Sequence, residues 1–263
     1  MDSWEAEPAP PSQWHLWLDE TPRPGWANMA IDHSLLERAE QLGESWLRLY
    51  QWAPHCLSFG RHEPAMRRYD RRRIVALGMD TVRRPTGGRA VWHAQELTYA
   101  VAAPSSHFGS LGTAYLEIHR MLAEALCELG ARAYLAPEVR TPPLDSGACF
   151  SQPVGGEIMI AGRKVVGSAQ LRQGVALLQH GSILLRDNQD VVAELTTGNS
   201  VPSRSSASPG PWARVPDIAH AITTAAARRW PAVWERVFDV SAVLSEAVSL
   251  HMLYRSAAWT WAR

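Results

Sequence analysis

Cys149 lies in Leu144-Asp145-Ser146-Gly147-Ala148-Cys149-Phe150, a run of small and polar residues that reads as a loop. A free cysteine is most often a buried apolar side chain. In a loop it is an accessible thiol, and it becomes a nucleophile where a nearby cation or a helix N-terminus favours the thiolate. Lys164 follows the turn Ala161-Gly162 and precedes an apolar strand that runs into Gly167-Ser168-Ala169. There a lysine is either a solvated edge charge or an ammonium aimed into a cleft, where it would donate to an acyl carbonyl and stabilise the oxyanion formed on attack. The three small residues leave room for a thin substrate. No spacing rule brings Lys164 to Cys149.

A second group is Arg83-Arg84-Pro85-Thr86-Gly87-Gly88-Arg89-Ala90-Val91-Trp92-His93. Two glycines often mark a tight turn and nothing more. In a functional loop they let a ligand approach the backbone, where N–H groups and flanking arginines can bind carbonyl or phosphate oxygens. The stretch has neither the G-x-G-x-x-G of a dinucleotide site nor the G-K-[ST] of a P-loop. G-x-S-x-G and H-E-x-x-H are also absent. His93 and His180 are singly more often structural than catalytic, and their proximity in sequence to these groups makes them candidates. The basic run Arg67-Arg68-Tyr69-Asp70-Arg71-Arg72-Arg73 is either a solvated helix face or a dock for an acidic partner.

The elements that would position these groups follow from periodicity. Asn28 to Leu42 has a helical apolar spacing behind a possible Asn28 cap. Trp46 to Trp52 alternates as a strand, with Arg48 on the face of Trp46, Tyr50 and Trp52, and Cys56 to Phe59 is a second strand. Asp70 could cap a short helix that ends at Gly78. Met79 to Arg84, Ala90 to His93 and Glu96 to Ala103 read as strands, so the glycine loop joins two of them. Thr113 to Leu129 is a second long helix stopping at Gly130, with Cys127 expected in the core. Glu157 to Ile160 and Arg163 to Val166 form a hairpin that Val175 to Leu185 extends. Ile218 to Trp230 and Val240 to Tyr254 are helical, whereas Ser200 to Pro211 is a low-complexity linker or mobile loop.

Composition narrows the function classes. The 263 residues carry 26 basic and 26 acidic side chains, so no global charge favours nucleic acid or a membrane surface. Three cysteines without C-x-x-C or zinc spacing fit a reduced compartment and no metal. The first dozen residues are acidic and proline-rich, and no run reaches the roughly 18 apolar residues of a spanning helix. One α/β domain in the cytoplasm is expected, with residues 1–13 as a flexible N-terminus.

RRPTGGRAVWHAQELTYAV, followed by CFSQPVGGEIMIAGRKVVGSAQLRQGVALLQHGSILL, closely resembles the LipM-type octanoyltransferases of the lipoate-protein ligase A, LipB and biotin-ligase superfamily. The similarity runs from about Trp14 to Leu185 and is weaker in the first helix, NMAIDHSLL. The resemblance implies a single α+β catalytic domain over residues 14–263, a mixed, mostly antiparallel sheet flanked by helices, with 198–212 a mobile loop and 213–263 C-terminal helices. It implies a monomeric cytoplasmic enzyme that moves octanoyl from octanoyl-acyl carrier protein to a lysine of a lipoyl domain. The glycine cleavage H protein and the 2-oxoacid dehydrogenase E2 are the implied acceptors. No cofactor, nucleic acid or membrane is expected. By motif position Cys149 is the implied acyl-accepting nucleophile and Lys164 orients the acyl carbonyl. Arg83, Gly87, Gly88, Arg89 and His93 would line the acyl tunnel on one side, with Gly167, Ser168, Ala169 and His180 opposite. Family members often read His-Asp where this chain has His93-Ala94, and Glu96 is the nearby acid that could compensate.

Three other readings share these residues. An ATP-dependent lipoate-protein ligase would use the glycine loop and lysine without a nucleophilic cysteine. A lipoyl-domain amidotransferase would use a cysteine placed differently, and a binding module without turnover would need neither Cys149 nor Lys164.

Overall fold

The strand expected at Glu96 to Ala103 forms over Glu96–Pro104 and is buried almost end to end, because it lies inside a six-stranded sheet. A computed structural model of the chain describes residues 13–137, 155–186, 188–197 and 214–262. In chain order its elements are β1 (Gln13–Arg23), α1 (Gly25–Leu42), β2 (Ser45–Trp52), β3 (Cys56–Phe59), α2 (Ala65–Arg68), α3 (Arg71–Ala76), β4 (Asp80–Arg83) and β5 (Val91–His93). Then come β6 (Glu96–Pro104), α4 (Leu111–Glu128), β7 (Ala133–Leu135), β8 (Ile158–Ile160), β9 (Arg163–Lys164), β10 (Val166–Gln173) and β11 (Ala176–Leu184). The chain continues through α5 (Asp190–Glu194), α6 (Val215–Arg229), β12 (Val233–Arg236), α7 (Ser241–Arg255) and α8 (Ala257–Thr260).

The large sheet has the order β10-β11-β6-β2-β1-β12, antiparallel from β10 to β2 and parallel from β2 to β12. Side chains alternate across a strand. Leu47, Leu49, Tyr99, Val101 and Leu177 therefore pack under α4 and α6, whereas Trp46, Tyr50, Ala100, Ala102 and Leu178 pack under α1 and α7. Two small sheets, β4-β3-β5 and β7-β8-β9, carry the glycine loop and the Lys164 hairpin. No helix among the described residues is long and apolar enough to cross a membrane.

The structure departs from the expected elements at identifiable points. The first helix begins at Gly25, after Pro24, and Gly25 N donates to Asp80 Oδ2. Asn28 is thus inside α1, where its amide donates to Arg23 O and Gln51 O, and its expected capping role is corrected. Cys127 is exposed, not core: it lies off the buried Ala114, Ile118, Leu122, Ala125 stripe of α4. The hairpin β8–β9 belongs to a different sheet from β10–β11, because Val165 carries the chain from one to the other. Between the expected C-terminal helices, β12 pairs parallel with β1. Asp70 caps α3 as expected, accepting from Arg73 N. Residues 198–212, expected as a mobile loop, fall outside the described residues.

Arg48, alone among aromatic neighbours on its strand face, is fully buried and explains what that pattern was for. It pairs with Asp19 Oδ2 at 2.6 Å and Asp32 Oδ1 at 2.8 Å and donates to Asn28 Oδ1. Removing one partner of a buried ion pair strands the other charges in a low dielectric, at about 3–5 kcal/mol. Arg48→Met is expected to lower unfolding free energy by about that amount in urea titration. A loss below about 1 kcal/mol would show that the two aspartates find other partners.

Candidate active site

The glycine loop runs from β4 to β5, the two outer strands of their small sheet, so it must cross over the end of β3 between them. There a Cβ on Gly60 would stand 1.9 Å from Gly88 O, so the crossing requires glycine at position 60. Gly88 itself has φ +87°, which L side chains rarely adopt. Arg84 N donates to Phe59 O and Arg61 N to Thr86 O, fixing the loop over the strand.

Adjacent residues of a strand point to opposite sides, and this separates the two arginines. Arg83 is buried away from the loop, donating to the carbonyls of Gly60, Glu63, Trp259 and Ala262 and so tying down the C-terminal turn. Arg84 lies beneath the loop. It donates to Ser58 Oγ at 2.5 Å, Gly87 O at 3.1 Å and Arg89 O at 2.8 Å. A cavity opens beside it, with about 370 Å³ of empty space including its mouth.

The cavity brings together Gly88, His93, Gly167, Ser168, Ala169 and His180 from the two motifs, which lie far apart in sequence. Arg83, Gly87 and Arg89 are not among its lining residues, whereas Arg84 is. Met29, Tyr50 and Trp52 also line it and were not singled out from sequence. The lining crosses four neighbouring strands, from β10 through β11 and β6 to β2.

Each of the two histidines is held between a carboxylate and a hydroxyl. His180 Nδ1 is 2.8 Å from Asp32 Oδ2 and its Nε2 is 2.7 Å from Thr86 Oγ1. His93 Nδ1 is 2.6 Å from Glu96 Oε1 and its Nε2 is 2.6 Å from Ser58 Oγ. A carboxylate only accepts, so in each neutral ring Nδ1 carries the proton and Nε2 accepts from the hydroxyl. Burial pushes His180 below the ordinary imidazole pKa, against the pull of Asp32. His93 also stacks on Trp52 at 3.9 Å, and Trp52 Nε1 donates to Thr98 Oγ1. Glu96 is thus the carboxylate that His93 meets, and it also accepts from Thr98 Oγ1 and Ser182 Oγ. The result is a rigid wall: Thr86 and, through Ser58, Arg84 anchor the glycine loop to the sheet.

Lys164 is buried in an ion pair with Glu157 Oε1 at 2.5 Å. The register Met159↔Lys164 explains the pair, because Glu157 stands two residues from Met159 on the same face, diagonal to Lys164. Val165 and Val166 then lead directly from Lys164 to the cavity wall at Gly167. Cys149 lies outside the described residues. The described chain on either side of it converges, with Ala136 N donating to Glu157 O and Gly156 N to Ala136 O. Of the other two thiols, Cys56 is fully buried, and burial together with Asp80 pushes its pKa well above the ordinary thiol value, which leaves it inert.

The model of the lipoyl protein ligase A/B catalytic domain matches residues 24–226. The chain belongs to that family. Within the lipoyl protein ligase A/B family it is 41% identical over 177 residues to octanoyltransferase LipM of Carboxydothermus hydrogenoformans, covering 66% of this chain and 65% of the relative. To octanoyltransferase LipM of Moorella thermoacetica it is 40% identical over 187 residues, covering 69% and 68%. The matched region thus spans about two thirds of these relatives' length. The fold is that of lipoate ligases: a lipoate-protein ligase A bound with ATP superposes with a TM-score of 0.80 at 19% identity, covering 95% of this chain and 98% of the other. The putative lipoate protein ligase Ta0514 of T. acidophilum, solved with lipoic acid, gives 0.79 at 19% identity, over 95% and 100%.

Proposed function

We propose that this chain transfers an octanoyl group from octanoyl-acyl carrier protein to the acceptor lysine of lipoyl domains, through a thioester on Cys149, in lipoate biosynthesis. The observation that carries this reading is the identity of about 40% to octanoyltransferases across the stretch containing both motifs. The cavity supports it independently. Its lining runs along four neighbouring strands and includes Gly88, Gly167, Ala169 and Gly181, small residues that suit a thin hydrocarbon chain. Donor and acceptor are both proteins, the latter including glycine cleavage H protein and 2-oxoacid dehydrogenase E2, and the chain acts as a cytoplasmic monomer with residues 14–263 as one catalytic domain.

The chemistry follows from the residue types. The Cys149 thiolate attacks the donor thioester carbonyl, a C–S bond forms, and the carrier thiol leaves with the electron pair of the broken C–S bond. This exchanges one thioester for another and needs no ATP. The acceptor lysine, as free amine, then attacks the Cys149 thioester, an amide C–N bond forms, the amine proton is lost and the cysteine leaves. In both steps charge develops on the carbonyl oxygen, where Lys164 supplies a fixed positive donor. Gly88, His93, Gly167, Ser168, Ala169 and His180, which line the cavity, form the walls around the acyl chain, with Arg83, Gly87 and Arg89 outside that lining. Intact-mass spectrometry after incubation with octanoyl-acyl carrier protein tests the reading: one octanoyl group is expected on the protein. An adduct or product formed only with free octanoate and ATP would establish a ligase instead.

The carrier protein has a candidate dock in the basic run. Arg67, Arg71, Arg72 and Arg73 are exposed on α2 and α3, beside exposed Met66, Val75 and Leu77. A positive patch with an apolar fringe on a chain of zero net charge suits an acidic protein surface. Charge reversal at Arg71, Arg72 and Arg73 is expected to weaken apparent affinity for the acyl carrier protein by about tenfold or more at low ionic strength, and less as salt rises. Unchanged affinity at low salt would remove the patch from the binding surface.

A further inference from the structure

His119 is fully buried in α4, outside both sequence motifs, and is absent from the cavity lining. Its ring nevertheless bridges the two pieces of chain that the proposed reaction needs in register. Nδ1 is 2.7 Å from Gly156 O, the residue before Glu157, and Nε2 is 2.7 Å from Ser168 Oγ in the cavity wall. Gly156 has φ +81°, a backbone conformation that L side chains rarely adopt, so glycine is the residue suited to bringing this carbonyl against α4. On the other side, a Cβ on Gly181 would stand 2.6 Å from Ser168 Oγ and 2.9 Å from Tyr99 Cε1. Gly156 packs against Leu116 and Tyr115 of α4, and Gly181 leaves the room that Ser168 Oγ occupies.

The hydrogen bonds have one consistent direction. The Gly156 carbonyl only accepts, so Nδ1 carries the proton and the neutral ring offers Nε2 as acceptor. Ser168 O–H donates to Nε2, Tyr99 O–H donates to Ser168 Oγ at 2.7 Å, and Gln179 Nε2 donates to the Tyr99 oxygen at 2.9 Å. Gln170 Nε2 in turn donates to Gln179 Oε1 at 2.8 Å. A protonated ring would put a donor against Ser168 and strand the Ser168 proton. The environment opposes that state: burial, with the charge of Lys164 adding to it, pushes His119 down to about 4.

We propose that His119, as the neutral Nδ1–H tautomer, is a positioning residue that fixes the Glu157–Lys164 pair relative to the acyl cavity, by tying Gly156 to Ser168. The role rests on the octanoyltransferase reading for its kinetic consequence, but not for its tautomer. His119→Leu removes both links, whereas His119→Asn retains a donor near the place of Nδ1 and so keeps the link to Gly156. Single-turnover acylation of Cys149 by octanoyl-acyl carrier protein is expected to slow by about tenfold or more in His119→Leu. Donor concentration dependence should stay within about twofold, and His119→Asn, which keeps the link to Gly156 but loses that to Ser168, should fall between wild type and His119→Leu. A wild-type rate in His119→Leu, an effect confined to donor affinity, or equal loss in both variants at matched thermal stability would overturn the role. Imidazole ¹⁵N chemical shifts of the unmodified protein supply the second readout. A neutral ring with its proton on Nδ1 is expected from pH 6 to 8, above the lowered titration of this buried imidazole. A proton on Nε2 would overturn the proposal even if transfer proceeds. Absence of any acylation in the wild-type protein would instead sink the octanoyltransferase reading, and the tautomer would still decide the bridge.

Discussion

Cys149→Ala leaves no octanoyl adduct on the protein after incubation with octanoyl-acyl carrier protein, and transfer to a lipoyl domain falls by more than about 10³-fold, as expected when a covalent nucleophile is removed. Neither remaining thiol can take over. Cys56 is buried with its pKa raised, and exposed Cys127 is tethered on α4, its Sγ donating to Ala133 O at 3.4 Å. Neither lines the cavity. Cys149→Ser is expected to accumulate an ester, if it acylates at all, because an alkoxide is a poorer leaving group than a thiolate and the second step stalls. An undiminished adduct on Cys149→Ala, located by peptide mass mapping, would move the nucleophile elsewhere in the chain.

Lys164→Met carries the second large effect. Loss of one preorganised donor at a developing oxyanion costs about 10²–10³ in rate, and acylation of Cys149 is expected to slow by that factor with little change in donor affinity. The substitution also leaves the Glu157 carboxylate buried without its 2.5 Å partner, a penalty of several kcal/mol that could unfold the hairpin instead. The double variant Lys164→Met, Glu157→Gln removes both charges and separates the two causes. If it regains stability but stays slow, the ammonium acts on the carbonyl. If it regains the rate as well, Lys164 serves only to neutralise Glu157.

Local sequence was enough to locate most elements, because their signals are local. Alternation marks Trp46 to Trp52, helical spacing stopping at Gly130 marks α4, and Ala161-Gly162 marks the hairpin turn. The glycine loop, Lys164 and the small residues at 167–169 were legible as chemistry-bearing because glycine and lysine between apolar strands are costly without a use. Pairing across the chain was not legible. Arg83 and Arg84 are neighbours of the same type, and only strand alternation in the folded sheet sends one to the C-terminal turn and the other beneath the loop. Asp32, Glu96 and Glu157 are ordinary acids in sequence, and they matter because folding sets them against His180, His93 and Lys164.

The sequence by itself determined the family, the reactive side-chain types and the order of the motifs, since residue identity sets nucleophilicity, charge and backbone freedom. The tertiary structure alone decided that one cavity crosses four strands, that Arg84 rather than Arg83 faces it, and that His119 joins the lysine hairpin to the cavity wall. Those facts depend on strand register and on which face of a helix meets the sheet, and both are fixed by burying apolar surface from distant parts of the chain at once.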